Sequence, residues 1–121
     1  MSKIILIEED DAMRMLFSEW LSAEGYEIQS ATQADDVCVG RADLVILDLP
    51  NPRSRVQQAV RLVRAVRDAW PHALVIGISA QLVKSLSDKS DTARAYGVDR
   101  WLAKPCTRGE LITAVGAALS R

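Results

Sequence analysis

Four places in this chain carry groups that could do chemistry together. They are the acids Glu8, Glu9 and Asp10, the carboxylate Asp48, the hydroxyl of Ser79 and the ammonium of Lys104. Each lies at the end of a short strand-like run: Ile4-Ile5-Leu6-Ile7, Asp43-Leu44-Val45-Ile46-Leu47-Asp48, Ala73-Leu74-Val75-Ile76-Gly77-Ile78 and Val98 to Ala103. Carboxylates converging on one spot repel unless a cation offsets them. A hard divalent ion suits oxygen ligands, and Mg2+ typically takes one or two carboxylates, waters and a phosphate. A lysine is a point-charge phosphate binder, and a hydroxyl can donate to a phosphate oxygen. A carboxylate nucleophile receiving a phosphoryl group, with Mg2+ and a lysine offsetting the charge, uses all of these parts. No glycine-rich phosphate loop is present, which argues against nucleotide binding of the P-loop kind.

Such a convergence needs strands that end on one edge. The runs Ile4 to Ile7 and Leu44 to Leu47 are continuous and apolar, as expected of strands buried on both faces. Tyr26 to Ala31 reads as a weaker strand. Helices alternate with these strands. Met13, Leu16, Phe17, Trp20 and Leu21 form a 3.6-residue stripe that Asp10 or Asp11 can cap and that stops at Gly25. Thr32 to Val39 reads as a short helix with Thr32 as its cap, ending at Gly40. Val56, Ala59, Val60, Val63, Val66 and Trp70 mark the next helix, with Arg53, Arg55, Arg61, Arg64 and Arg67 as a solvated outer side. A helix is expected from Ser87 or Ser90 to Tyr96. Thr107-Arg108-Gly109-Glu110 is a capping box that opens a final helix carrying Leu111, Ile112, Val115 and Leu119. Five β-then-α units predict an α/β fold: a doubly wound, five-stranded parallel sheet with right-handed crossovers and helices on both faces. In that architecture ligands gather outside the carboxyl ends of the strands.

Composition agrees with a single domain over residues 1–121. Hydrophobic residues make up 49% and charged residues 26%, which is globular. A net charge of −1 gives no strong pull toward nucleic acid or membrane. No apolar run reaches the ~18 residues a membrane span needs, and the N-terminal run is too short for a signal peptide, so the expected location is cytoplasmic. Cys38 and Cys106 are too few for a disulfide framework, and the lone His72 supports neither a metal site nor a triad. Trp20 and Trp70 are expected at the core margin. Only Ser120 and Arg121 follow the last helix, so a stand-alone module without an effector domain is expected.

At this point the sequence resembles the receiver domain of two-component response regulators, with a CheY-like, flavodoxin-like fold. The resemblance spans the whole chain. It rests on Leu6-Ile7-Glu8-Glu9-Asp10 with Arg14 following, and on Asp43 to Leu49 with Pro52 four residues after Asp48. Ile78-Ser79-Ala80, Gly97-Val98-Asp99 and Trp101-Leu102-Ala103-Lys104-Pro105 complete it. It implies that Asp48 is the phospho-acceptor and that Glu8 and Glu9 hold Mg2+ directly or through water, with the Pro50 carbonyl as a further ligand. Ser79 would bind the phosphoryl group, Lys104 would pair with it, and Lys104-Pro105 would be a cis peptide. Ser79 and Trp101 would form a switch. A sensor histidine kinase or phosphotransfer protein would be the donor and a downstream protein the target, with a second copy of the chain as a further candidate partner. The domain would assist its own phosphorylation and dephosphorylation without being a turnover enzyme.

The sequence departs from the family's pattern in places. Glu9 stands where Asp is usual, one methylene longer at a site where Mg2+ demands near-ideal geometry. Pro50-Asn51 and Arg53-Ser54-Arg55 alter the loop after Asp48, the stretch from Gln81 to Ser90 is longer than usual, and Trp101 is bulkier than the usual Tyr or Phe. Two other readings stay open. In one, Glu8, Glu9, Asp48 and Lys104 close into a salt-bridge cluster and the module docks without phosphorylation. In the other, the chain is a Mg2+-dependent phosphatase with an aspartyl nucleophile, for which Pro50 stands where a second acid is wanted.

Overall fold

The computed structural model describes residues 2–37, 40–50, 55–80 and 97–120. Five strands run parallel in one sheet: β1 (Lys3–Ile7), β2 (Glu27–Ala31), β3 (Leu44–Asp48), β4 (Leu74–Ser79) and β5 (Arg100–Ala103). Their order across the sheet is β2-β1-β3-β4-β5. The described helices are α1 (Asp11–Ala23), α2 (Val56–Ala69) and α3 (Arg108–Leu119). The sequence expectation of a doubly wound parallel sheet holds. The expected helix ending at Tyr96, the loop residues Asn51 to Ser54, the Gln81 to Ser90 stretch and Cys38 lie outside the described residues.

The continuous apolar runs are explained by two cores, one on each side of the sheet. Successive strand side chains point to opposite faces. Ile5, Ile7, Val45, Leu47 and Val75 therefore pack with Ala59, Val63 and Val66 of α2. Ile4, Leu6, Leu44, Ile46, Ile76 and Ile78 pack with Phe17 and Leu21 of α1 and with Leu111 and Val115 of α3. The helices start as their polar residues dictate. Asp10 caps α1, its carboxylate accepting from the Met13 N–H at 2.8 Å, and Thr107 and Glu110 form the full reciprocal capping box of α3.

Four local expectations need correction. Over its described part, Thr32 to Val37, the helix expected from Thr32 to Val39 is only a 3₁₀ turn, Ala34–Asp36, whose cap residue is Gln33 rather than Thr32. Two acids in that single turn and the absence of a sustained apolar stripe leave nothing to propagate it. Val56 and Leu16, assigned to apolar stripes, are 42% and 41% exposed. Trp70 is buried in the α2-side core instead of lying at its margin.

Arg67 is also more than part of a solvated face. Its guanidinium donates to the Gly97 carbonyl from Nε at 3.1 Å and Nη2 at 2.7 Å, and to the Ala73 carbonyl from Nη1 at 2.9 Å. It also pairs with Asp99 at 3.0 Å, and the same Asp99 oxygen accepts from the Val75 N–H at 2.8 Å. One side chain thus ties the end of α2 to the starts of β4 and β5, including Gly97, which has the positive φ of +78° that glycine tolerates. Arg67→Ala is expected to lower stability by about 1–2 kcal/mol, since several hydrogen bonds to one charged group are lost from a partly exposed site. A urea unfolding midpoint identical to the parent protein would show that water replaces the whole network.

Candidate functional site

The register of the sheet aligns the chemical groups. Asp48 ends β3 and pairs with Ile78, one residue before Ser79 at the end of β4. Ser79 pairs with Ala103, one residue before Lys104, and the Lys104 N–H donates to the Ser79 carbonyl at 3.0 Å. The Leu49 N–H donates to the Ile78 carbonyl at 2.8 Å, holding the chain that leaves Asp48 against β4. Ser79 is buried, and the Lys104–Pro105 peptide is cis.

The acids after β1 divide their work. Glu8 is fully buried. Its Oε1 meets Lys104 Nζ at 2.8 Å, and its Oε2 accepts from the Asp10 N–H at 3.2 Å. Lys104 Nζ also lies 3.1 Å from Asp48 Oδ1, so a single ammonium bridges two carboxylates. Asp10 is occupied as the α1 cap, and Asp11 pairs with Arg14 at 2.6 Å. Arg14 also donates from Nη1 to the Glu8 carbonyl at 3.0 Å, which fixes the turn out of β1. Glu9 is exposed and lines, with Asp48, Pro50 and Arg55, a cleft of about 560 Å³ floored by Leu47 and Leu62.

Electrostatics follow this geometry. Burial pushes the Asp48 carboxyl up to about 6 from its ordinary 3.8, with the Glu8 carboxylate acting in the same direction and Lys104 opposing both. For Lys104, burial works against the charge, yet its hydrogen bonds to Glu8 and Asp48 outweigh this and its pKa rises. The ammonium is therefore held charged, while the Asp48 carboxyl is pushed up to about 6 and stays mostly ionised at neutral pH. Cys106 lies close by; burial, then Glu110, pushes its thiol up to about 11, so it stays protonated and is no nucleophile at neutral pH.

Among the described residues no group of three or more His, Cys, Asp or Glu side chains is arranged to hold a metal ion. The donors fit Mg2+ nonetheless. Glu9 and Asp48 face one open cleft beside Pro50, and Mg2+ bound partly through water and phosphate needs only one or two carboxylates.

Asp48, Ser79, Lys104, Glu8, Glu9 and Pro50 thus lie around the carboxyl ends of β1, β3, β4 and β5. Trp101 stands two pairs back from the Ser79–Ala103 pair, opposite Gly77 and 1% exposed. Leu49 and Gly77 also shape this region, although residue order assigns neither a role in the site. A glycine interrupting an otherwise branched apolar run was the available signal.

Known proteins resemble this chain in family and fold. The family profile described as the response regulator receiver domain matches residues 4–116. The transcriptional regulator NtrC of Bradyrhizobium sp. (strain RP501 Parasponia) is 33% identical over 121 residues, covering 97% of this chain and 24% of that protein. The chain spans 24% to 57% of the length of the curated relatives it matches. Among solved structures, the chemotaxis response regulator CheY4 of Vibrio cholerae superposes with a TM-score of 0.74 at 22% identity, covering 98% of this chain and 99% of that one. A response regulator from Burkholderia pseudomallei, solved with a phosphorylated aspartic acid, a calcium ion and citrate, gives 0.72 at 17% identity, covering 99% and 69%.

Proposed function

Since the chain belongs to the response regulator receiver family, we propose that it is a phospho-accepting signalling module whose acceptor is Asp48. The observation that carries this reading is the Lys104 ammonium held 3.1 Å from Asp48 Oδ1 by the buried Glu8. In the reaction an Asp48 carboxylate oxygen attacks the phosphorus of a phosphohistidine on a sensor kinase or phosphotransfer protein. The new P–O bond forms as the P–N bond breaks, and the electron pair leaves with the imidazole. The acceptor must be ionised to attack, and a carboxyl with a pKa of about 6 is mostly ionised at neutral pH. Lys104 would neutralise charge on the phosphoryl oxygens, and Ser79, at the end of the neighbouring strand, would donate a hydrogen bond to one of them. Mg2+, held by Glu9, Asp48 and the Pro50 carbonyl, would supply further neutralisation of the transferred group; Glu8, also expected as a ligand, is instead engaged by Lys104 and the Asp10 N–H. Phosphorylation replaces the single charge of the Asp48 carboxylate with a phosphoryl group of about −1.5 to −2 charges, at a site already crowded with carboxylates. Lys104 must then redistribute between Glu8 and the phosphoryl group, and this rearrangement at the end of β5 carries the signal to a protein target.

The closed Glu8–Lys104–Asp48 cluster favours one competing reading, a docking module that works without phosphorylation. Intact mass after incubation with acetyl phosphate separates the two. The expected result is one added phosphoryl group that requires Mg2+, is released by hydroxylamine as an acyl phosphate should be, and is absent in Asp48→Ala. A folded protein that gains no mass and binds no beryllium fluoride selects the docking module.

A further inference from the structure

Gly77 sits inside β4 among larger apolar residues. A glycine weakens a strand interior, both by chain entropy and by leaving nothing to pack, so its presence there points to a close approach from elsewhere. The approach comes from two sides. A Cβ on Gly77 would lie 2.8 Å from Leu49 Cδ1 and 3.2 Å from both Cε3 and Cζ3 of Trp101. Trp101 is the residue paired with Gly77 across the β4–β5 ladder, and its indole is 1% exposed. Leu49, 4% exposed, belongs to the same core and directly follows Asp48. The volume that a side chain at position 77 would fill is thus shared by the residue after the acceptor and by the benzo ring of an indole on the outermost strand.

We infer that Gly77 forms a seat that holds Trp101 buried before any phosphorylation, and that this shared seat couples the Asp48–Leu49 segment directly to β5. The two occupants differ in how they can respond. A leucine reorients by χ rotation between staggered wells, whereas an indole is a rigid plate that moves as one body. A shift of Leu49 therefore opens or closes the space beneath the indole. Conversely, a larger residue at 77 must displace both, because interiors are packed too densely to absorb even a methyl group. The seat follows from packing alone, while its coupling to Asp48 rests on the phospho-acceptor reading above.

The test uses the full chain labelled with 5-fluorotryptophan. Its three tryptophans give three 19F resonances, and that of Trp101 is identified by its loss in Trp101→Phe. The Trp101 resonance should be almost insensitive to exchanging H2O for D2O, as a buried indole is, and should move on adding Mg2+ with beryllium fluoride. Gly77→Ala should make it several-fold more sensitive to the solvent exchange and lower the unfolding midpoint. Gly77→Ala/Trp101→Phe should recover most of that midpoint, since Phe lacks the fused ring. If Gly77→Ala does not fold, Leu49→Ala takes its place: the seat loses one wall, and the Trp101 response to beryllium fluoride should fall at least several-fold. A solvent-sensitive Trp101 in the parent protein, or an unchanged resonance and midpoint in Gly77→Ala, overturns the seat. Beryllium fluoride binding that leaves the resonance in place overturns the coupling alone. If neither beryllium fluoride nor acetyl phosphate modifies the protein, the acceptor reading fails and the coupling with it, while the Gly77→Ala spectrum still decides the seat.

Discussion

Lys104→Met is expected to remove about 3–5 kcal/mol of folding stability, the loss typical when one partner of a buried ion pair is deleted. The reason lies in Glu8, whose side chain is fully buried and keeps only the Asp10 N–H once the ammonium is gone. The Lys104 side chain itself is only 13% exposed, so water can reach the orphaned carboxylate poorly. Methionine nearly preserves the stem, which confines the change to charge. Glu8→Gln in the same chain should restore most of the loss, because a neutral amide beside a thioether needs no counter-charge. Urea unfolding of the two single variants and the double variant gives a coupling energy, and a Lys104→Met loss under about 1 kcal/mol would show that Glu8 relaxes into water.

Asp48→Asn is expected to have opposite effects on function and stability. Phosphoryl incorporation should vanish, since an amide oxygen is no substitute for a carboxylate nucleophile. Stability at pH 7.5 should rise by about 1–2 kcal/mol. In the folded protein burial raises the Asp48 carboxyl to about 6, whereas in the unfolded chain it titrates near its ordinary value of 3.8. Between those two pH values the folded state binds a proton that the unfolded state has lost, so stability falls as pH rises through this window. A shift of about two units corresponds to a ceiling of about 3 kcal/mol. The Asp48 side chain is 23% exposed and also loses a Lys104 contact on substitution, which together bring the expected gain down to the smaller figure. Asparagine carries no titrating group, so its advantage should be absent below pH 4 and complete above pH 7. Equal midpoints for the two proteins at pH 7.5, or an advantage that does not change with pH, would remove burial of the Asp48 charge as the cause. The proposed acceptor would thus sit where it weakens the fold, which is the usual condition of a site organised for reaction rather than for stability.

Much of this architecture could be read from residue order. Ile4 to Ile7 and Leu44 to Leu47 are legible because a strand buried on both faces needs an unbroken apolar run. The α1 and α3 caps are equally legible, since an aspartate or a Thr-x-x-Glu pattern satisfies orphan N–H groups by local contacts alone. Once the strands are parallel, the gathering of Asp48, Ser79 and Lys104 at one edge follows from topology. What residue order could not settle depends on distances between strands far apart in the chain. Four acids follow β1, yet only the pleat and register of the sheet decide that Glu8 turns inward to Lys104 while Glu9 stays at the cleft. The same holds for Arg67, whose three carbonyl contacts and single ion pair are made to residues 73, 97 and 99. The seat at Gly77 is the clearest case. Trp101 stands out in the sequence for its bulk, but the volume it shares with Leu49 above Gly77 exists only because β3, β4 and β5 align to within a residue. Local chemistry reaches a few residues along the chain, so capping and periodicity are written in sequence. Packing is a property of surfaces brought together from afar, and only the folded chain decides which side chains share one space.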